Sequence, residues 1–339
     1  MGCRVQYAAI RMALPATVVA LAACDTPMNA LDASGDPARR IATLGWFMIV
    51  LSAIIFIGVV IVLAWAVSRN RRTTDLSPDL TPRGRGWIVY GGALMPTLVL
   101  VAIFVVAMST LGMFPVRGAP PVLTIHVTGR QWWWQIDYLG PKLQTYLTTA
   151  NEIHIPVGQP VRVLLTSADV IHSFWVPKLQ GKLDLIPGDT NDIRLRAERP
   201  GEYRGQCAEY CGLQHAHMAF TVVADDSATF ARWWRAQLEP ATPPADSLTQ
   251  LGQRVFVNGP CVVCHTVRGT PARGQIAPDL THVGSRRTIA AGVLPNSLGA
   301  LEGWIANAQS LKPGTQMPNI TQFNGRELRA LAAYVYSLK

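Results

Sequence analysis

The chain has 339 residues, enough for two or three domains, and 49% of them are hydrophobic while only 15% are charged. That composition is too apolar for an ordinary soluble protein and indicates membrane-embedded segments. The formal net charge of +9 is uneven, because residues 248–339 hold nine Lys and Arg against three Asp and Glu, and this pattern favours protein docking and disfavours nucleic acid as a partner.

Residues 1–23 have the layout of an export signal. A charged start leads into a short apolar run, and two alanines come directly before Cys24. The stretch that ends at Cys24 also resembles the bacterial lipoprotein box, in which cleavage precedes a cysteine that becomes lipidated. The alternative is an ordinary signal peptide, with Cys24 left as a free thiol.

Residues 24–117 are predicted to form a short segment followed by a two-helix transmembrane hairpin. The apolar runs at 41–67 and 88–114 both exceed the ~20 residues that a helix needs to cross a bilayer. The connector at 68–86 holds five arginines against two aspartates, so it is expected to be cytoplasmic. We therefore expect a multi-pass protein of a bacterial cytoplasmic (inner) membrane, with everything after the second helix on the extracytoplasmic side.

Residues 118–225 change to short β-rich runs separated by Gly and Pro, which predicts an all-β antiparallel sandwich or barrel. The stretch 169–177 is predicted to be a loop. The predicted strands are residues 122–128, 132–138, 152–155, 160–167, 192–195, 201–203 and 218–223.

A compact group of soft ligands follows the sixth of these strands. Its pattern is C-x-E-x-C-x3-H-x2-M, with Cys207, Glu209, Cys211, His215 and Met218. Thiolates with imidazole suit copper, zinc or iron, whereas calcium and magnesium prefer oxygen. The pattern predicts a redox-metal loop held by a rigid sandwich.

A second ligand source is His172, which lies among apolar residues. A lone histidine of this kind is usually a satisfied core group. In combination with the downstream cysteine loop, we interpret it as a metal ligand.

These residues together resemble the copper A centre of the cytochrome c oxidase subunit II family, over roughly residues 41–224. The resemblance implies a cupredoxin-like domain with two coppers bridged by Cys207 and Cys211. It also implies that His172 and His215 each bind one copper, with Met218 and the Glu209 backbone carbonyl as weak ligands.

The same resemblance implies further roles and shows one departure. The carboxylate of Glu209 would bind magnesium at the boundary with subunit I, and Trp132 would mark electron entry. For Trp133 and Trp134, core and interface packing is a comparably good explanation. Many family members carry a glutamate near the start of the second helix, whereas residues 87–96 here hold no carboxylate, which puts that proton-entry route in doubt.

Residues 226–247 read as an amphipathic helix at 226–239 and a short Pro-rich linker, and residues 248–339 as an all-α domain. Cys261-Val-Val-Cys264-His265 is the attachment pattern for c-type haem, with the two thiols forming thioethers and His265 binding iron. A redox-active C-x-x-C is the competing interpretation, disfavoured by the adjacent histidine.

The sixth iron ligand is argued by elimination. Met317 is the only methionine after Met218, and its surroundings resemble the methionine loop of class I cytochromes c. His282 is the alternative. His/Met ligation is favoured because it raises the reduction potential.

The expected whole is a multidomain membrane protein that resembles subunit II of a caa-type oxidase. Its electrons would pass from cytochrome c, through the haem and copper A, to haem in subunit I for oxygen reduction. The alternatives are a subunit of a copper A nitric oxide reductase and a stand-alone membrane electron carrier. The basic haem domain is expected to dock on a face formed by Asp169, Asp184, Asp189 and Asp192.

Overall fold

The computed structural model describes residues 26–69, 82–112 and 120–339. The predicted signal peptide, Cys24 and most of the arginine-rich connector lie outside these residues, so the predictions for them stay predictions.

Two apolar helical segments form the N-terminal part of the chain. Helix α1 is Asp36–Arg69, and the second segment comprises α2 (Pro82–Val89), a π-helical turn (Tyr90–Leu94) and α3 (Met95–Gly112). The spans Asp36–Arg69 and Ile88–Thr110 are long and apolar enough to cross a bilayer, as predicted from composition.

Ten strands build the middle domain as two five-stranded sheets, in the orders β3-β2-β1-β5-β8 and β4-β10-β9-β6-β7. The sandwich agrees with the predicted fold class. The expectation of purely antiparallel sheets is wrong, because β1 pairs with β5 and β4 with β10 in parallel. The strands are β1 Leu123–Arg130, β2 Trp133–Leu139, β3 Thr145–Ala150, β4 Glu152–Pro156, β5 Val161–Ser167, β6 His172–Trp175, β7 Leu183–Leu185, β8 Asn191–Leu195, β9 Gly201–Cys207 and β10 Ala219–Asp225.

The core of the sandwich comes from alternating side chains of both sheets. Val161, Val163 and Leu165 of β5 are fully buried, and the residues between them are partly exposed, as a strand with one face on the core requires. The stacked rings of Phe174 and Phe220 join this core from the second sheet. A rigid, close-packed base therefore lies beneath the loops that carry the candidate ligands.

Part of the predicted loop at 169–177 is a strand. Residues His172–Trp175 form β6, which pairs with β9 through Phe174 and Cys207. A four-residue strand is too short to give a periodic signal, and its pairing with a distant strand is set by the tertiary fold. The consequence is that His172 begins a strand directly beside the end of the cysteine strand.

The segment before α1 lies against the sandwich. The Ser34 N–H donates to the Lys178 carbonyl (2.6 Å), and the Ser34 carbonyl accepts from the Glu198 N–H (2.8 Å). Asp32 accepts a hydrogen bond from Lys178 Nζ (2.7 Å), which holds the pKa of its carboxyl below the usual value. Residues 32–34 are thus fixed to the sandwich by both backbone and side-chain contacts.

Helix α4, Ser227–Leu238, packs its aromatic residues on the sandwich, and this agrees with the predicted amphipathic helix. The Trp233 ring stacks on His154 with centroids 4.2 Å apart. The ring of Trp234 lies edge-on to Tyr138 at 5.5 Å. These tryptophans are packing residues.

The C-terminal domain is a small helical fold around a second core. Its helices are α5 Ser247–Asn258, α6 Cys261–Cys264, α7 Leu298–Leu311 and α8 Gly325–Ser337, with a two-stranded ribbon of β11 Thr288–Ile289 and β12 Leu294–Pro295. Asp246 and Asn324 cap α5 and α8 by accepting backbone N–H bonds, each in a capping box. The all-α prediction agrees with this fold, apart from the short ribbon.

The crossing of α5 and α8 depends on Gly252. A Cβ at this position would lie 2.0 Å from the Ala330 carbonyl oxygen, so the two backbones could not keep their present distance. We expect Gly252→Ala to lower the free energy of unfolding of this domain by about 3 kcal/mol, the upper end of the cost of overpacking. Thermal unfolding of this domain, followed by circular dichroism, would measure the loss.

Gly303 in α7 is the matched control, since a Cβ there meets nothing within 4 Å. Gly303→Ala should leave stability unchanged or raise it by up to about 1 kcal/mol, the ordinary helix gain over glycine. Equal effects of the two substitutions would contradict the packing argument.

Candidate functional site

His172 is positioned by Gly129 and Asp169. A Cβ on Gly129 in β1 would lie 2.7 Å from His172 Cδ2, so the imidazole fits only because this strand residue lacks a side chain. His172 Nε2 donates to Asp169 Oδ1 at 2.8 Å, and the ring is fully buried. This bond fixes the tautomer and leaves Nδ1 free as a ligand atom.

Two thiols meet at the end of β9. Cys207 is its last residue, Cys211 follows four residues later, and the two Sγ atoms lie 3.7 Å apart. His172 Nδ1 lies 3.9 Å from the Cys207 Sγ, and His215 Nδ1 lies 3.6 Å from the Cys211 Sγ. These distances show that two sulfurs and two imidazoles form one cluster. Both thiols are buried.

The two thiols have opposite electrostatic preferences. The hydrogen bond with Cys211 lowers the pKa of the Cys207 thiol, and a further bond with His172 adds to this effect. The same pairing, together with burial, raises the pKa of the Cys211 thiol. The pair therefore holds one proton between two sulfurs and titrates as a unit, and binding of a metal by both thiolates would release that proton.

The remaining predicted ligands lie around the sulfurs. Met218 is fully buried, with its Sδ 3.8 Å from the Cys211 Sγ, and the Glu209 carbonyl oxygen lies 3.2 Å from the Cys207 Sγ. The Glu209 carboxylate points away and lies 3.4 Å from Lys182 Nζ at the surface. His217 is exposed and hydrogen-bonds to Gln214.

The chemistry of this donor set fits a soft redox metal. Ligand atoms of His172, Cys207 and Cys211 all lie within 4.8 Å of one another. Two thiolates, two imidazoles, a thioether and a carbonyl are a set that favours copper over calcium or magnesium. The two sulfurs lie centrally and the other donors flank them, as a pair of bridged ions would need.

Trp132 connects this cluster to a second site. It lies in the two-residue turn between β1 and β2, and its Nε1 donates to the Cys211 carbonyl at 2.9 Å. Gln131, the other turn residue, donates its Nε2 to the same carbonyl at 2.7 Å. Trp134 is fully buried in the sandwich core, where its Nε1 donates to the Met218 carbonyl at 3.4 Å.

The second site is a cavity of about 390 Å³ in the C-terminal domain. Cys261, Cys264, His265 and Met317 line it, and Trp132 closes part of its wall. His265 Nδ1 donates to the Pro278 carbonyl at 2.8 Å, which leaves Nε2 free. Burial lowers the pKa of His265, so the imidazole is neutral, as an iron ligand must be.

The residues around this cavity fit a c-type haem. Most of the lining is apolar, and the Nε of Arg286, a lining residue, is buried without a hydrogen-bond partner among the described residues. A buried guanidinium is matched by an anionic group such as a haem propionate. Nε2 of His282, the alternative iron ligand, donates a hydrogen bond to the Glu239 carbonyl. Among the described residues, Met317 lines the cavity and His282 does not.

The ion pairs between the sandwich and the C-terminal domain differ from the expected face. Arg287 pairs with Glu152 at 3.1 Å and with Glu202 at 2.6 Å. Of the four aspartates proposed from the sequence, Asp169 holds His172, and Asp192 pairs with Arg162 within its own sheet. The predicted docking face is therefore replaced by Glu152 and Glu202, because charge counts cannot tell which carboxylates the fold turns toward a partner.

Two residues of this region have roles that the sequence prediction does not include. Asp169 orients His172, and the signal for this is an acid three residues before a candidate ligand. Lys312 is almost fully buried at the boundary between the two domains, and no sequence motif marks it.

Comparisons with known proteins match the two domains in which these residues lie. A family model described as "Cytochrome C oxidase subunit II, periplasmic domain" matches residues 138–225, and one described as "Cytochrome c" matches residues 249–339. The curated cytochrome c oxidase subunit 2 of Alkalihalophilus pseudofirmus is 34% identical over 320 residues, covering 92% of this chain and 91% of that protein.

A second curated relative and a solved structure are also similar to this chain. The cytochrome c oxidase subunit 2 of Bacillus subtilis is 27% identical over 328 residues, covering 89% of this chain and 90% of that protein. A crystal structure of the periplasmic domain of subunit II of the Bradyrhizobium japonicum cytochrome oxidase is 33% identical and covers 35% of this chain and 94% of that one, with a TM-score of 0.33. The two curated relatives named above each match nearly the whole length of this chain.

Proposed function

Because the chain belongs to the cytochrome c oxidase subunit II family, whose complexes are haem–copper oxidoreductases, we propose that it is the electron-entry subunit of such an oxidase. It accepts electrons from a cytochrome c or similar donor and delivers them to subunit I, which reduces oxygen to water with proton translocation. The position of Trp132 carries this proposal, since its ring lines the haem cavity and its Nε1 donates to the Cys211 carbonyl.

In this proposal the copper A ligands are His172, Cys207, Glu209, Cys211, His215 and Met218. The distances around the two sulfurs support this set. The Asp169 carboxylate, which also accepts from the Gln131 N–H at 2.7 Å, holds the fully buried imidazole of His172 in one orientation.

A covalent haem c would be held by Cys261 and Cys264, with His265 and Met317 as its iron ligands. Support comes from the four side chains that line one cavity and from the Pro278 carbonyl that orients His265. When bound, the haem and the copper pair would supply one-electron redox chemistry. The chain contributes the docking of its two domains, and it places the indole of Trp132 between the haem cavity and the copper loop.

The proposed setting is a bacterial cytoplasmic membrane. The two apolar helices anchor the chain as a multi-pass hairpin, with both metal-binding domains on the extracytoplasmic side and a lipid on Cys24 as an additional anchor. The half-exposed carboxylate of Glu209 is available for a magnesium ion shared with subunit I.

The test is to purify the complex from membranes, measure its metals and follow gas consumption. Two coppers and one covalent haem per chain, with oxygen uptake driven by reduced cytochrome c, are expected. Consumption of nitric oxide without oxygen would identify a reductase of that gas. Full metal content without consumption of either gas would identify a stand-alone carrier.

A further inference from the structure

Lys312 makes an unusual set of contacts at the boundary between the two domains. It is the residue after α7 of the C-terminal domain, and its side chain is only 2% exposed. Its Nζ donates to the Trp132 carbonyl (2.8 Å), the His217 carbonyl (2.8 Å) and the Ala290 carbonyl (2.9 Å). Two of these acceptors belong to the sandwich, so all three ammonium donors are used and two of them cross the boundary.

The backbone that faces Lys312 is held in an uncommon conformation. Ala290 and Ala291 have φ of 54° and 59°, a left-handed region that residues with a Cβ seldom occupy. Their carbonyls face the boundary, where Ala290 accepts from Lys312 and Ala291 accepts from the Ala219 N–H at 3.0 Å. Strain of this kind persists where surrounding contacts hold it, and here one contact comes from Lys312 and the other, from Ala219, crosses from the copper domain.

The contacts of Lys312 converge on the copper side of the boundary. Trp132 is the residue between the two sites, and His217 directly precedes the ligand Met218. The next residue, Pro313, accepts a hydrogen bond from Gln214 Nε2 of the copper loop at 2.7 Å. Burial lowers the pKa of Lys312 to about 7, and the three carbonyl acceptors around Nζ are the groups that favour its charged form.

We propose that Lys312 is a positioning residue that locks the cytochrome domain onto the copper domain in the one orientation that places the haem cavity against Trp132. This inference rests on the proposed electron-entry function and goes beyond it. It assigns electron transfer from the haem to the copper pair to a single docked arrangement of the two domains. The Pro-rich linker keeps the two domains at high local concentration, and its Ala241 N–H donates to the Arg268 carbonyl at 3.0 Å, but neither the linker nor that bond reaches the copper loop or Trp132. Lys312, by filling three carbonyl acceptors at once, supplies the orientation.

The test uses the purified complex with Lys312→Met, which keeps the length of the side chain and removes all three donors. We expect haem-to-copper transfer, followed after light-driven injection of one electron into the haem, to slow roughly tenfold or more, because buried carbonyls lose a charged partner. The kcat for oxygen uptake should fall while the KM for reduced cytochrome c stays unchanged. Lys312→Gln, which retains two N–H donors, should give a smaller loss.

Hydrogen exchange measures docking without relying on activity. The amides of Ala219 and Arg287 donate across the boundary, to the Ala291 carbonyl and the Glu152 carboxylate, whereas the Gly284 amide donates within the cytochrome domain to Leu338. Lys312→Met should speed exchange at the first two and leave Gly284 unchanged. Lys339→Met is the matched control, because it removes one exposed charge from the same domain.

The proposal is overturned if Lys312→Met transfers electrons and exchanges its amides like the parent and the control. It is also overturned if both Lys312 variants lose haem or speed exchange at Gly284 equally, since the lysine would then serve the fold of the cytochrome domain. If the parent itself binds neither copper nor haem, the proposed function fails, and the exchange data still decide whether Lys312 fixes the docked arrangement.

Discussion

Cys207→Ser is expected to abolish the copper pair while the haem remains. A serine hydroxyl is a hard ligand with a far higher pKa than a thiol, and Cys207 lies near three other donor atoms, from His172, Cys211 and Glu209. Metal analysis of the purified complex should show copper A at background and one covalent haem per chain. Oxygen uptake driven by reduced cytochrome c should fall to background as well.

Ser173→Ala is the control for that experiment. Ser173 is buried in β6 beside His172, and its hydroxyl has no hydrogen-bond partner among the described residues. Copper content and oxygen uptake should match those of the parent. If Cys207→Ser retained the full copper content, the assignment of bridging thiolates would be wrong.

Trp132→Leu should leave both metal sites loaded but slow the transfer between them. The substitution removes the indole from the cavity wall and the hydrogen bond from Nε1 to the Cys211 carbonyl. We expect the rate of haem-to-copper transfer to fall roughly a hundredfold, the loss that a displacement of 1 Å can cause at a reacting group. Flash reduction of the haem, with absorbance recorded for both centres, measures this rate.

Trp133→Leu separates a specific role of Trp132 from general damage to the cavity. Trp133 lines the same cavity, but its ring packs under the guanidinium of Arg130, whereas the Trp132 indole donates to the Cys211 carbonyl. This variant should lose less than tenfold in rate. Equal losses in the two variants would mean that the cavity wall, and not the indole of Trp132, sets the rate.

The candidate ligands could be found from the sequence because most of them lie close together in the chain. Cys207, Cys211 and His215 lie within nine residues, and Cys261 to His265 lie within five. This close spacing marks them as candidate ligands of a metal and of a haem. The apolar helices were equally visible, because a bilayer demands unbroken apolar runs. The sandwich was predictable as a class, but β3, β6 and β7 were missed, since short strands are defined by their partners and not by their own periodicity.

The docking of the two domains could not be predicted from the sequence. Charge counts pointed to a group of aspartates, whereas the contacts use Arg287 with Glu152 and the buried Lys312. A lysine with no motif around it reads as a surface residue, because most lysines are exposed. Only the fold brings Ala290, Trp132 and His217 to within hydrogen-bond distance of one ammonium group.

The attachment of residues 32–34 to the sandwich limits how far the copper domain can travel. Cys24 precedes Asp32 by eight residues, and eight residues of extended chain reach at most about 28 Å. If Cys24 carries a lipid, as proposed, the bonds of Asp32 and Ser34 to the sandwich make that lipid a short tether between the bilayer and the copper domain. The point where residues 32–34 attach to the copper domain would then stay within about 28 Å of the bilayer surface.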